Sequence, residues 1–160
     1  MTSRLDFTAA FRNPSRARQL SSELYGSDVD VIFHAAGDIG RQVFEQAQRA
    51  SEDTDLHRWA IGVDHDEYLT VEAELRPHVA ASAIKQIPSD PYVELKRAIA
   101  SGTAIETPVF NLANQGVGLA TSGAHLEPHL GTLADLRNEI IDGQIDLGTW
   151  EPNAGVNTRR

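Results

Sequence analysis

Short apolar runs rich in β-branched residues alternate along this chain with longer segments whose apolar positions recur at helical spacing. Leu5 to Phe11 has apolar residues at alternate positions and predicts a strand. Asn13-Pro14 is a helix-start signal, and Pro14 to Gly26 reads as a helix with Leu20 and Leu24 on one face. Val29 to Phe33 is a buried-type strand that runs into His34-Ala35-Ala36-Gly37. Asp38 is placed to cap a helix over about Ile39 to Ala50, with Val43, Phe44 and Ala47 inward, followed by a polar loop from Ser51 to His57. Trp59 to Val63 predicts a strand ending at Asp64, and Val79 to Ile84 a weaker one ending at Lys85. A turn bracketed by Pro88 and Pro91 leads to a helix from Pro91 to Ser101, stopped by Gly102. Thr107 to Leu112 and Val117 to Ala120 flank Asn114-Gln115-Gly116 and predict a strand pair around a turn. Leu133 to Asp142 is a last helix, with Leu133, Leu136 and Ile140 on one face and Gly143 beyond its end. Such alternation predicts an α/β layer fold with a largely parallel sheet.

The 160 residues suit a single domain, expected over residues 1–150, with 151–160 as a frayed tail. Fourteen basic against 23 acidic side chains give a net charge of −9, which lacks the electrostatic footprint of a nucleic-acid binder. The absence of Cys excludes disulfides, thiolate metal sites, cysteine nucleophiles and lipid attachment through a cysteine of this chain. Met1 to Phe11 does not read as a secretory signal, and no apolar run approaches the ~20 residues of a membrane span.

Three predicted strands end at Gly37, Asp64 and Lys85 or just before them. In a parallel α/β sheet the carboxyl ends of the strands share one edge, and ligands bind in the crevice there. Gly37 lets a ligand approach the backbone, Asp64 offers two acceptor oxygens suited to a pair of sugar hydroxyls, and Lys85 is a donor. Phe33 offers an aromatic face to a planar ring. Against this stand plainer readings: a turn glycine, a loop or capping Asp, and a core Phe. Rival chemistries are weaker. Gly37-x-x-Gly40 lacks the rest of a dinucleotide fingerprint, and no phosphate-binding loop or nucleophile elbow is present. His125, His129 and Asp64 are the best candidates for a metal-assisted hydrolase, yet Pro128 separates the histidines and no nucleophile–base pair can be assembled.

Several segments carry a family resemblance. Asp30-Val31-Ile32-Phe33-His34-Ala35-Ala36-Gly37 with Gly40 and Val43-Phe44-Glu45-Gln46-Ala47 resembles the basic membrane protein family, the substrate-binding lipoproteins of ABC importers, many of which bind purine nucleosides. Ile61-Gly62-Val63-Asp64-His65-Asp66, Ser82-Ala83-Ile84-Lys85 and Gly116-Val117-Gly118-Leu119-Ala120 resemble further family segments in the same order. The resemblance runs from about Leu5 to Leu147. It implies a type I periplasmic-binding-protein-like fold, in which a Rossmann-like lobe with a mostly parallel sheet is joined to a second lobe that is incomplete here. It implies that Gly37 lines the ligand crevice, that Asp64 holds ribose hydroxyls with help from Lys85, and that Phe33 contributes to the pocket wall. It implies a small-molecule ligand, a purine nucleoside, and an ABC permease as partner. No catalytic residue, metal or cofactor is implied.

The resemblance also has departures. Family members are about twice this long, and Asp38 stands where a second glycine is common. The chain is expected to be the C-terminal portion of such a protein, anchored outside the plasma membrane by family resemblance. If Met1 is the true start, the alternatives are a cytoplasmic ligand-sensing module of the same fold and a non-functional truncated paralogue.

Overall fold

Asn13 starts the first helix of the computed structural model, which describes residues 12–86, 96, 99–102 and 109–148. Its side chain accepts the Arg16 amide at 3.0 Å, and Pro14 supplies the preset first-turn φ for α1 (Pro14–Gly26). The inward stripe of α1 centres on Ser21 and Tyr25, not on Leu20 and Leu24, which are half-buried. The shift is tolerated because both hydroxyls find acceptors: Ser21 donates to the Ala17 carbonyl and Tyr25 to the Trp59 carbonyl at 2.7 Å. Burial raises the Tyr25 pKa above its ordinary value.

The sheet is built from β1 (Val31–Phe33), β2 (Trp59–Asp64), β3 (Val79–Lys85) and β4 (Val117–Ala120), in that spatial order. The first three strands are parallel, with Phe33 opposite Ile61 and Asp64 opposite Ile84. β4 joins β3 antiparallel, Val117 facing Lys85. The predicted strand pair around residues 113–116 therefore does not form: residues 109–116 contain no strand, and β4 takes β3 as its partner. Side chains Asn111 and Asn114 instead bond the backbone of their own turn, which a strand would forbid.

Between β1 and β2 the chain forms a 3-10 turn (Gly37–Gly40) and then α2 (Arg41–Thr54). Asp38 caps nothing: it sits exposed inside the 3-10 turn, and Gly40 holds the cap position of α2. The helix also continues past Ala50 to Thr54, taking up much of the expected polar loop, because Ser51 and Thr54 satisfy their hydroxyls on carbonyls four residues back. Between β2 and β3 lie the single turn α3 (Glu67–Thr70) and a 3-10 turn (Arg76–His78).

Both connections step one strand in the same direction, and right-handed crossovers of that kind cover the same face of a sheet. That face carries the core: Ile32 and Ala60 pack with Val43, Phe44 and Ala47 of α2 and with Val71, Leu75 and Val79. Phe33 points to the other face and is 57% exposed, alongside exposed Val31.

The chain divides into two compact units between Pro128 and His129. In the second, α4 (Leu130–Ile141) begins one turn earlier than the sequence pattern suggests and ends before Gly143, whose φ of +71° suits glycine. The predicted strand at Leu5–Phe11, the Pro88–Pro91 turn, most of the Pro91–Ser101 helix, Thr107-Pro108 and the tail lie outside the described residues.

Candidate functional site

Parallel pairing brings the carboxyl ends of β1, β2 and β3 to one edge. Just beyond it, Gly37 turns the chain at φ +56°, a left-handed conformation that costs glycine little. Asp64 closes β2 at φ +69°, where a side chain is strained and a surrounding structure must hold it. Lys85 Nζ donates to Asp64 Oδ1 at 2.7 Å across the two strand ends. Both groups stay open to solvent, at 61% and 46% exposure, so the pair keeps its polar atoms available.

Gly37 and Asp64 line one cleft of about 290 Å³. Lys85 reaches its rim through Asp64, whereas Phe33 projects from the opposite face of the sheet at the same strand end. Gly37 and Asp64 thus share the cleft, Lys85 joins them only through its bond to Asp64, and Phe33 stands apart.

The cleft is acidic. Asp38, Asp64, Glu67 and Glu72 line it against a single guanidinium, Arg41. Arg41 is already engaged: Nε lies 3.0 Å from each Glu72 oxygen, Nη2 2.8 Å from Oε1, and Nη1 bonds Glu45. These bonds hold the Glu72 carboxyl below its ordinary pKa and raise that of Arg41.

Under the cleft lies a group of buried polar residues that sequence reasoning passed over. Glu67 Oε1 accepts the Val63 amide at 2.9 Å, and the Glu67 amide donates to buried Ser82 at 3.0 Å. His34 is buried beside it, edge-on to Phe44, with Nε2 3.4 Å from Glu67 Oε1. That is ion-pair distance without hydrogen-bond alignment, and neither ring nitrogen has a hydrogen-bond partner. Gly62 in the middle of β2 was the available signal, since an interior strand glycine marks a close approach. A Cβ there would stand 2.9 Å from Glu67 Cδ and from Ser82 Oγ.

His125 is turned elsewhere, packing on Trp59 with ring centroids 4.7 Å apart. Among the described residues no group of three His, Cys, Asp or Glu side chains is placed to hold a metal ion. Nor is any described helix long and apolar enough to cross a membrane.

The profile of the ABC transporter substrate-binding protein PnrA-like family matches residues 4–149. This chain belongs to that family. Among curated members it is 28% identical over 153 residues to the ABC transporter nucleoside-binding protein BmpA of Lactococcus lactis subsp. cremoris, covering 89% of this chain and 43% of that protein. It is 33% identical over 150 residues to the CD4+ T-cell-stimulating antigen of Listeria monocytogenes, covering 86% and 41%. The chain thus spans less than half the length of these relatives. Among solved structures, a solute-binding protein of an ABC transporter system from Aeropyrum pernix K1 superposes with a TM-score of 0.65 at 16% identity, over 88% of this chain and 46% of that one. At that identity the likeness concerns the fold, and it agrees with the mostly parallel α/β sheet. PnrA-like proteins are substrate-binding proteins of ABC transporters.

Proposed function

We propose that this chain supplies one ligand-gripping lobe of a substrate-binding protein of an ABC importer, and that its ligand is a purine nucleoside. The observation that carries the reading is Asp64, a carboxylate held at a strained backbone angle, paired with Lys85 at 2.7 Å and sharing a cleft with Gly37. Two acceptor oxygens beside an ammonium donor match two adjacent hydroxyls of a ribose. Gly37 allows the sugar to come close to the backbone. The name of the Lactococcus lactis relative, a nucleoside-binding protein, supports the ligand class.

On this reading the protein binds and releases its ligand unchanged. It acts outside the plasma membrane, where it delivers ligand to a permease. Two lobes closing on a ligand trap it in such proteins, so a single lobe binds weakly. The test is an NMR titration of the chain with inosine at millimolar concentration. Saturable shifts at Gly37, Asp64 and Lys85, absent with hypoxanthine alone, are expected. Shifts equally large with the free base, or none at these positions with inosine, would remove the ribose assignment.

A further inference from the structure

Asp66 holds the N-cap position of α3, yet its side chain caps nothing there. An Asp in that place ordinarily accepts an amide of its own first turn, as the Asn13 side chain does for α1. The Asp66 carboxylate is turned instead to Ser122, whose hydroxyl donates to Oδ2 at 2.5 Å across 56 residues of chain. A local hydrogen bond is forgone for a distant one.

Ser122 belongs to the segment that leaves β4 and runs to the end of the first unit at Pro128. That segment is fitted to α3 at a second point. A Cβ on Gly123 would fall 2.9 Å from the Tyr68 ring and 2.7 Å from the His125 ring, and the two rings stand edge to face. The turn that carries Ser122 and Gly123 is closed by the Ala124 amide on the Thr121 carbonyl at 3.2 Å, with Ala124 at φ +60°. An alanine keeps that left-handed conformation only where its surroundings impose it. On the other side of the bond, α3 gives the cleft Glu67 and Thr70. Asp66 also follows directly on the turn at Asp64, where the His65 amide donates to the Val63 carbonyl at 2.8 Å.

We infer that Ser122 is a positioning residue for this cleft, acting through Asp66. Its bond fixes the chain just after the Asp64 turn and at the start of α3, and it latches the cleft wall to the segment that leaves β4. Without the hydroxyl, the Asp66 carboxylate is free to turn back onto the Tyr68 or Leu69 amide and cap α3. The carboxylate thus has two competing partners, and the fold selects the distant one. The inference rests on the nucleoside reading only for what the cleft holds, and its test needs no ligand.

The experiment compares amide NMR spectra of the whole chain with those of Ser122→Ala, Ser122→Thr and Asp66→Ala. Ser122→Ala is expected to move the His65, Asp66 and Glu67 amides and to shift the Tyr68 or Leu69 amide proton downfield as the new cap forms. Asp66→Ala should in turn move the amides of Gly123 to His125. Ser122→Thr keeps the hydroxyl and should return His65 to Leu69 to their wild-type positions, a rescue that mere loss of packing would not give. Ser122 is exposed and lies outside the core, so its variants report on the bond and not on folding. Changes in Ser122→Ala confined to residues 121–125, with His65 to Leu69 unmoved, overturn the inference. So does a Ser122→Thr spectrum that matches Ser122→Ala at His65 to Leu69. Failure to bind inosine would sink the nucleoside reading and leave this latch standing.

Discussion

Gly40 and the His34 ring compete for one space, a Cβ at position 40 standing 2.0 Å from the imidazole Cε1. Neither side can yield easily, because Phe44 backs the ring and Gly40 opens α2. We predict that Gly40→Ala destabilises the fold by about 2–3 kcal/mol, the upper part of the range for overpacking. Urea unfolding of the single variant and of Gly40→Ala/His34→Ala checks it. The double variant should recover part of the loss, and strict additivity would show that the two residues do not conflict.

Arg58 has the opposite arrangement of charges from a usual surface pair. Its guanidinium is 3% exposed, while its partners Asp28 and Asp30 are 87% and 80% exposed. Replacing both carboxylates by amides leaves a buried cation with neutral acceptors alone, the Val29 carbonyl at 3.2 Å among them. Removing Arg58 leaves two carboxylates in water. Asp28→Asn/Asp30→Asn is therefore expected to cost more than Arg58→Met, by roughly 1–2 kcal/mol. Equal losses in thermal unfolding would contradict this asymmetry.

His78 sets a pH dependence. Burial lowers its pKa below the ordinary 6.5, and like charge on His57 and His125 acts in the same sense, against the Arg58 carbonyl and Glu52. The unfolded chain then binds more protons than the folded one below that ordinary value. The stability His78 contributes is complete above about pH 6.5 and is lost as the pH falls through its lower folded value. Melting temperatures should drop between pH 7 and pH 5, and the drop should shrink in His78→Gln. An unchanged slope in the variant would assign the acid sensitivity to other groups.

Lys85 separates affinity from stability. Its pair with Asp64 lies on the surface, and such pairs contribute under about 1 kcal/mol. Lys85→Met should leave the urea midpoint nearly unchanged and yet weaken inosine binding by about tenfold, the loss of one charged hydrogen bond. An unaltered dissociation constant would take Lys85 out of the site.

Much of this molecule was legible before any coordinates. The bounds of α1 and the strands ending at Asp64 and Lys85 follow from turn signals and β-branched runs, which act locally. The meeting of Gly37, Asp64 and Lys85 follows from parallel topology alone. What stayed hidden depends on contacts between distant segments. His34 and Glu67 are ordinary polar letters until folding places them 3.4 Å apart. Leu119 fits a hairpin with its neighbours equally well, and only the free edge of β3 decides its partner. Asp38 has the chemistry of a cap, but the 3-10 turn moves the cap position two residues beyond it, to Gly40.

The antiparallel β4 also bears on the order of folding. Paired positions lie 19 to 20 residues apart in β2 and β3, 28 in β1 and β2, and 32 to 38 in β3 and β4, so β4 loses the most closure entropy before any contact compensates it. We predict that this strand pairs after the rate-limiting barrier. Ala120→Gly should therefore quicken unfolding and leave the refolding rate almost untouched, whereas Ala60→Gly, in the centre of the parallel strands, should slow refolding. Stopped-flow chevrons of the two variants would show which strand is in place when the chain commits to its native topology.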